Sequence, residues 1–177
     1  MDQSEAQQHQ TIINEFLHLL IEELESSQST FDRIIALSAF GSFGVEEIVP
    51  VLLSVIRGTP GQFDDTAERV RAILSLHRVV LITPEKVSLM LKERSKFIYS
   101  FLISQIHPIL NSLASNVGER PEVRMAAIGI LFMSNAPLSV WQKIAMSTWF
   151  EQNKQVATFI HQLVHQIADL TLVSKEL

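Results

Sequence analysis

Residues 119–130 read ERPEVRMAAIGI. Pro121 suits the first position of a helix, where its missing N–H costs nothing, and Glu122 places a negative charge against the positive end of the helix dipole. Small and apolar residues follow, and the spacing predicts a helix over about residues 121–133. One arginine, Arg124, stands inside that run, three places before Ala127. A cation in a helix bound for a dry interior needs a reason.

The reason is sought in recurrence. Arg33-Ile-Ile-Ala36-Leu37, Arg69-Val-Arg-Ala72-Ile73 and Arg124-Met-Ala-Ala127-Ile128 share the form R-x-x-A-[LI], each followed by a turn and a second apolar segment. The partner segments are VEEIVPVLLSVIRG, PEKVSLMLKE and PLSVWQKIAM. The first two arginines are 36 positions apart and the last two 55, a gap lengthened by roughly one helix, SKFIYSFLISQIHPILNSLA. Helix pairs repeating at about 40 residues stack into a solenoid, each pair burying a face that its neighbour completes. The expected fold is therefore all-α, a right-handed superhelix of stacked antiparallel helix pairs of the HEAT-like kind, forming one domain over residues 1–177. In such a stack Ala36, Ala72 and Ala127 let adjacent layers approach closely. Arg33, Arg69 and Arg124 would lay their aliphatic stems along the seam and keep the guanidinium at its edge, paired with an acid or a helix C-terminus.

Helical periodicity runs through almost the whole chain. Ile13, Phe16, Leu17, Leu20 and Leu24 fall at the spacing of one buried helical stripe. Asp65 and Glu68 form a D-x-x-E capping box, Thr83 precedes Pro84 at a helix start, and Gly58-Thr-Pro-Gly61 is the clearest break. These signals predict helices over about residues 4–25, 30–40, 45–57, 65–81, 84–93, 97–115, 121–133, 137–149 and 154–172, with no strand.

Composition narrows the function. The 177 residues are 47% hydrophobic and 19% charged, with mean hydropathy +0.22. That is too apolar for disorder and suggests that some surface faces a partner. Of 19 acids, six lie in the first 30 residues, which hold no Lys or Arg; the net charge is −5. No basic stripe is available to displace counterions, so nucleic acid is not an expected partner, and anionic membrane surfaces are equally unfavoured. No apolar run reaches the roughly 20 residues a membrane-spanning helix needs, so no transmembrane anchor is expected. The opening MDQSEAQQHQ lacks the regions of a signal peptide. With no cysteine, disulfides and thiolate ligands are ruled out.

Chemistry-bearing patterns are weak. His161 and His165 share a helix face at i and i+4, but no third ligand is evident and the glutamate of an H-E-x-x-H site is missing, so a half-exposed amphipathic helix is favoured over a metal site. His18, His77 and His107 stand alone and read as core or rim histidines. Gly41-Ser-Phe-Gly44 has no lysine and reads as a turn between helices. No G-x-S-x-G elbow is present. No catalytic, cofactor or metal site is expected. Trp141, Trp149, Phe150 and Phe159 read as core in preference to an exposed lipid-facing patch.

Beyond spacing, the block over residues 119–170 resembles the helical domain of the large lipid transfer proteins, the vitellogenin and apolipophorin type above all. The matching elements are E-x-P-E-V-R-x-A-A, a proline-led helix, and E-x-N-x-Q-V-A-x-F-I beginning at Glu151. Upstream, AFGSFGVEEIVPVLLSVIRG is similar to the family's A-x-G-x-x-G turn and proline-containing helix. The resemblance implies a structural helical arch in a secreted, extracellular lipid transport or storage lipoprotein, this chain being part of a larger multidomain protein. Its partners would be the β-sheet domains of the same parent chain that line the lipid cavity, with lipids held through that parent. The alternative is a free-standing HEAT-like scaffold for protein interactions, and a weaker one a metal-dependent enzyme.

Overall fold

The computed structural model describes residues 3–59, 62–81, 93–134 and 136–173. Its elements are α1 (Gln3–Ser26), α2 (Thr30–Phe43), a 3-10 turn (Glu46–Ile48), α3 (Val49–Arg57), α4 (Thr66–Ser75), α5 (His77–Val80), α6 (Glu93–Ser115), α7 (Pro121–Met133), α8 (Leu138–Ser147) and α9 (Lys154–Val173). No strand occurs among the described residues, and the class is all-α. The helix expected over 84–93, with its Thr83-Pro84 start, lies outside the described residues apart from Glu93. Two compact units divide the chain, Met1–Val79 and Val80–Leu177.

In the first unit, α2 begins where the Ser29 hydroxyl accepts from the Asp32 N–H, and it ends on Gly44, whose φ of 63° is the left-handed conformation glycine adopts without strain. Gly41-Ser-Phe43 thus belongs to the last turn of α2, and only Gly44 is the turn residue; the expected loop is helical because its glycine at 41 faces α4. The α2 and α4 axes run parallel in one register. Ser75 Oγ donates to the Leu37 carbonyl at 2.6 Å, and an Arg78 guanidinium N–H donates to the Ser42 carbonyl at 2.8 Å. A Cβ on Gly41 would lie 3.0 Å from Ser75 Cα. These links join positions 34 to 38 apart in sequence, so one helix-pair period separates α2 from α4.

The intervening helix, α3, packs against α4 and buries Val49, Leu52, Leu53, Val55 and Ile56. Full burial of such a side chain stabilises by roughly 1.5–3 kcal/mol. The single helix expected over 65–81 is broken at Leu76, whose N–H turns back to Ile73. The Ser75 tether to α2 fixes the chain there, and the next turn starts afresh. Of the α1 stripe, Leu17 and Leu24 are buried, whereas Phe16 is 45% exposed and lies against the half-exposed Phe43 ring at 5.3 Å. The stripe is narrower than its spacing suggests because, among the described residues, α1 packs mainly on α2.

In the second unit, α6 and α7 form an antiparallel hairpin through residues 116–120: Arg124 meets Ala114 near the turn and Ser134 meets His107 at the far end. Ile106, Leu110, Val123, Ala127, Ile128, Ile130 and Leu131 fill the space between. After α8, α9 returns parallel to α7, so that Arg124 meets Glu151 and Gly129 faces Phe159. Asn153 caps α9 by accepting from the Gln155 and Val156 N–H groups.

Candidate functional site

Helix ends leave carbonyls without partners, and a cation placed there satisfies both the hydrogen bond and the negative end of the dipole. The three recurring arginines all do this with the same atom. Arg33 Nε donates to Ser27 O (2.9 Å), just beyond α1; Arg69 Nε donates to Ile56 O (3.1 Å) in the last turn of α3; Arg124 Nε donates to Ala114 O (3.3 Å) in the last turn of α6. Each arginine therefore ties its own helix to the C-terminus of the helix before it.

Arg124 and Arg33 also reach forward. Arg124 holds Glu151 as a fork, with NH1 to Oε1 at 3.2 Å and NH2 to Oε2 at 2.5 Å. Both side chains are 3% exposed. Glu151 Oε1 accepts in addition from the Asn153 N–H, at the cap of α9. Arg33 donates through NH1 to Gln62 O (2.7 Å) and to Glu68 Oε1 (3.4 Å), its guanidinium lying over the Phe63 ring. Glu68 is in the first turn of α4, whose cap, Asp65 Oδ1, takes the Ala67 and Glu68 N–H groups. In both units, then, one guanidinium spans from the end of one helix to the start of another.

The expected position of the guanidinium, at the seam's edge, fails for Arg124. Its charge is buried, because a bidentate carboxylate and a helix carbonyl replace the water it loses. Ala36, Ala72 and Ala127 are 1%, 0% and 0% exposed, each one turn beyond its arginine. Sequence reasoning named Glu68 as a capping-box acid and Glu151 as the head of a motif, but paired neither with an arginine. A usable signal exists: both stand at the start of a helix downstream, Glu68 three places after an Asx cap and Glu151 two places before one.

The environments of the two acids differ. Hydrogen bonding from Arg124 holds the Glu151 carboxyl below the usual carboxylate range despite its burial. Burial of Glu68 pushes its carboxyl up, a loss that the Arg33 charge offsets only in part. His107 is lowered by burial; its Nε2 lies 2.8 Å from Ser134 Oγ, whose own hydrogen goes to Leu131 O. His18 and His77 are exposed. His161 and His165 are exposed too, with Nε2 atoms 3.3 Å apart, and among the described residues no group of three metal-ligating side chains forms.

The aromatic residues correct a second expectation. Trp141 packs edge-on against Phe132 at 5.7 Å, and both rings, like Phe159, are only partly buried. Trp149 and Phe150 are instead 85% and 86% exposed. They lie past the end of α8, where the helical period no longer decides which way a side chain faces.

Residues 103–165 match the family model described as the vitellogenin TPR domain. Over 159 residues, 89% of the chain, the sequence is 27% identical to the hemolymph clottable protein of Penaeus monodon. The chain spans about 8% of the length of that curated relative. No solved structure matches it. The chain is thus similar to a vitellogenin-type helical segment, a helical-repeat fold, and to a hemolymph protein.

Proposed function

We propose that this chain is a non-catalytic brace: part of the helical arch of a secreted, vitellogenin-like lipoprotein that transports lipid. The partners in this reading are the β-sheets of the same parent chain that enclose the lipid, and the lipid is held by the parent. The observation that carries it is the Arg124–Glu151 fork. E-x-P-E-V-R and E-x-N-x-Q-V, the two motifs of the family resemblance, are bonded to each other through their arginine and glutamate, inside the segment that matches the family model. Arg33, Ala36, Arg69, Ala72, Arg124 and Ala127 act in this reading as the seam, the alanines admitting a neighbouring helix and the arginines fixing its height.

A surface that holds helices at set spacing resists deformation and performs no reaction. The exposed α1 face of Ile12, Phe16 and Leu19 favours the alternative, a helical-repeat scaffold that docks a protein partner. Organic extraction of the purified full-length product separates the two. Co-purifying phospholipid or neutral lipid is expected; a product that carries none in any preparation rules the transporter out.

A further inference from the structure

Trp149 and Phe150 are adjacent and project from the connection between α8 and α9, and Met146 beside them is 67% exposed. Nothing about the backbone there is loose. The Thr148, Trp149, Phe150 and Glu151 N–H groups each turn back three residues, to Ala145, Met146, Ser147 and Thr148. The Ser147 and Thr148 hydroxyls donate to Ile144 O (2.7 Å) and Ala145 O (2.6 Å). The next residue is Glu151, anchored by Arg124 and by the Asn153 N–H. The two rings are therefore held out on a turn whose N–H donors are already satisfied, which suits the boundary between headgroups and acyl chains, where carbonyls still reach water.

Exposed Glu122 and half-buried Glu119 stand at the start of α7, the helix that Arg124 ties to Glu151, but the chain running through the turn itself is cationic. Between Met125 and Ala168 the sequence holds a single acid, Glu151, and Arg124 neutralises it. Lys143, three places before Met146 on the outer side of α8, and Lys154, at the start of α9, are both exposed. We propose that the Trp149–Phe150 turn is a contact for an anionic lipid surface: the rings enter the region between headgroups and acyl chains, and Lys143 and Lys154 lie at the phosphates. Trp partitions to that boundary, and lysine stems extend along it. Two exposed rings with an exposed lysine six places before and another five places after Trp149 suit a deformable anionic surface, to which flexible lysine stems can adjust. The inference goes beyond bracing, since a brace needs no lipid contact of its own.

The test uses the full chain with vesicles of phosphatidylcholine alone or in equal parts with phosphatidylglycerol. In a Trp141→Phe background Trp149 is the only indole, and its emission is expected to shift to the blue on the anionic vesicles, less so as salt is raised. Co-sedimentation with those vesicles is expected to weaken at least about tenfold in Phe150→Ser, because a buried phenyl ring is lost. Lys143→Gln with Lys154→Gln should reduce the preference for anionic vesicles. Circular dichroism controls for folding, and these exposed side chains should leave it unchanged. Failure to bind either vesicle, or binding that Phe150→Ser leaves intact, overturns the proposal; so does an indole that shifts only against an added acidic protein. None of those results bears on whether the parent carries lipid.

Discussion

A single guanidinium in a dry helix is destabilising unless each of its nitrogens finds an acceptor, and Arg124 meets that condition through one carbonyl and one carboxylate. The pair gains little over a well-packed apolar replacement; breaking it leaves a buried charge alone. Arg124→Met is therefore expected to lower stability by about 3–5 kcal/mol. Adding Glu151→Gln in the same chain should recover a large part of that loss, since the uncompensated carboxylate is then gone. Urea denaturation of the two variants checks this, and a double variant no more stable than the single one would mean that Glu151 is not the group left stranded.

At the scale of helices, the spacing of neighbours is set by what stands at the point of closest approach. Gly41 faces the Ser75 backbone, and a methyl group there would lie 3.0 Å from Ser75 Cα. Gly129, in α7, faces only the tip of the Phe159 ring at 3.8 Å. The same substitution should then act in opposite directions. Gly41→Ala is expected to destabilise by about 1–3 kcal/mol through overpacking, whereas Gly129→Ala should stabilise by about 0.5–1 kcal/mol through helix propensity. Denaturation midpoints of the two variants decide it. Most of the helices could be read in advance because their signals are local: Pro121 at the entry of α7, Asp65 before α4, Pro137 before α8. The break at Leu76, the helical Gly41 and the exposed Trp149 and Phe150 could not, because each depends on a segment distant in sequence or on the end of a period. The arginines were visible as a repeated pattern, and Glu68 and Glu151 as members of a capping box and a motif, but their pairing was not, since ion pairs 35 and 27 positions apart leave no periodic trace.

Across the molecule, the two arginine-linked acids respond to pH with opposite sign. Glu151 has its carboxyl lowered by the Arg124 hydrogen bonds, so it binds its proton less readily folded than unfolded. The stability it contributes is present above the unfolded value of 4.5 and is lost as pH falls through the folded one. Glu68 has its carboxyl raised by burial, so its contribution is complete below 4.5 and is lost as pH rises through the folded value. At neutral pH Glu151→Gln should therefore destabilise, with a deficit that narrows only below about pH 4.5. Glu68→Gln, which resembles the protonated acid, should be no less stable than the parent at pH 7, and any advantage should vanish on acidification. Amide hydrogen exchange followed separately in α2 and α4 and in α7 and α9 reads the two units one at a time. Acid should hasten exchange in α7 and α9 through loss of the Glu151 clasp, and Glu151→Gln should remove most of that dependence. An acid response of equal size and sign at both clasps, or one that survives Glu151→Gln, would show that the charge pairs do not govern it.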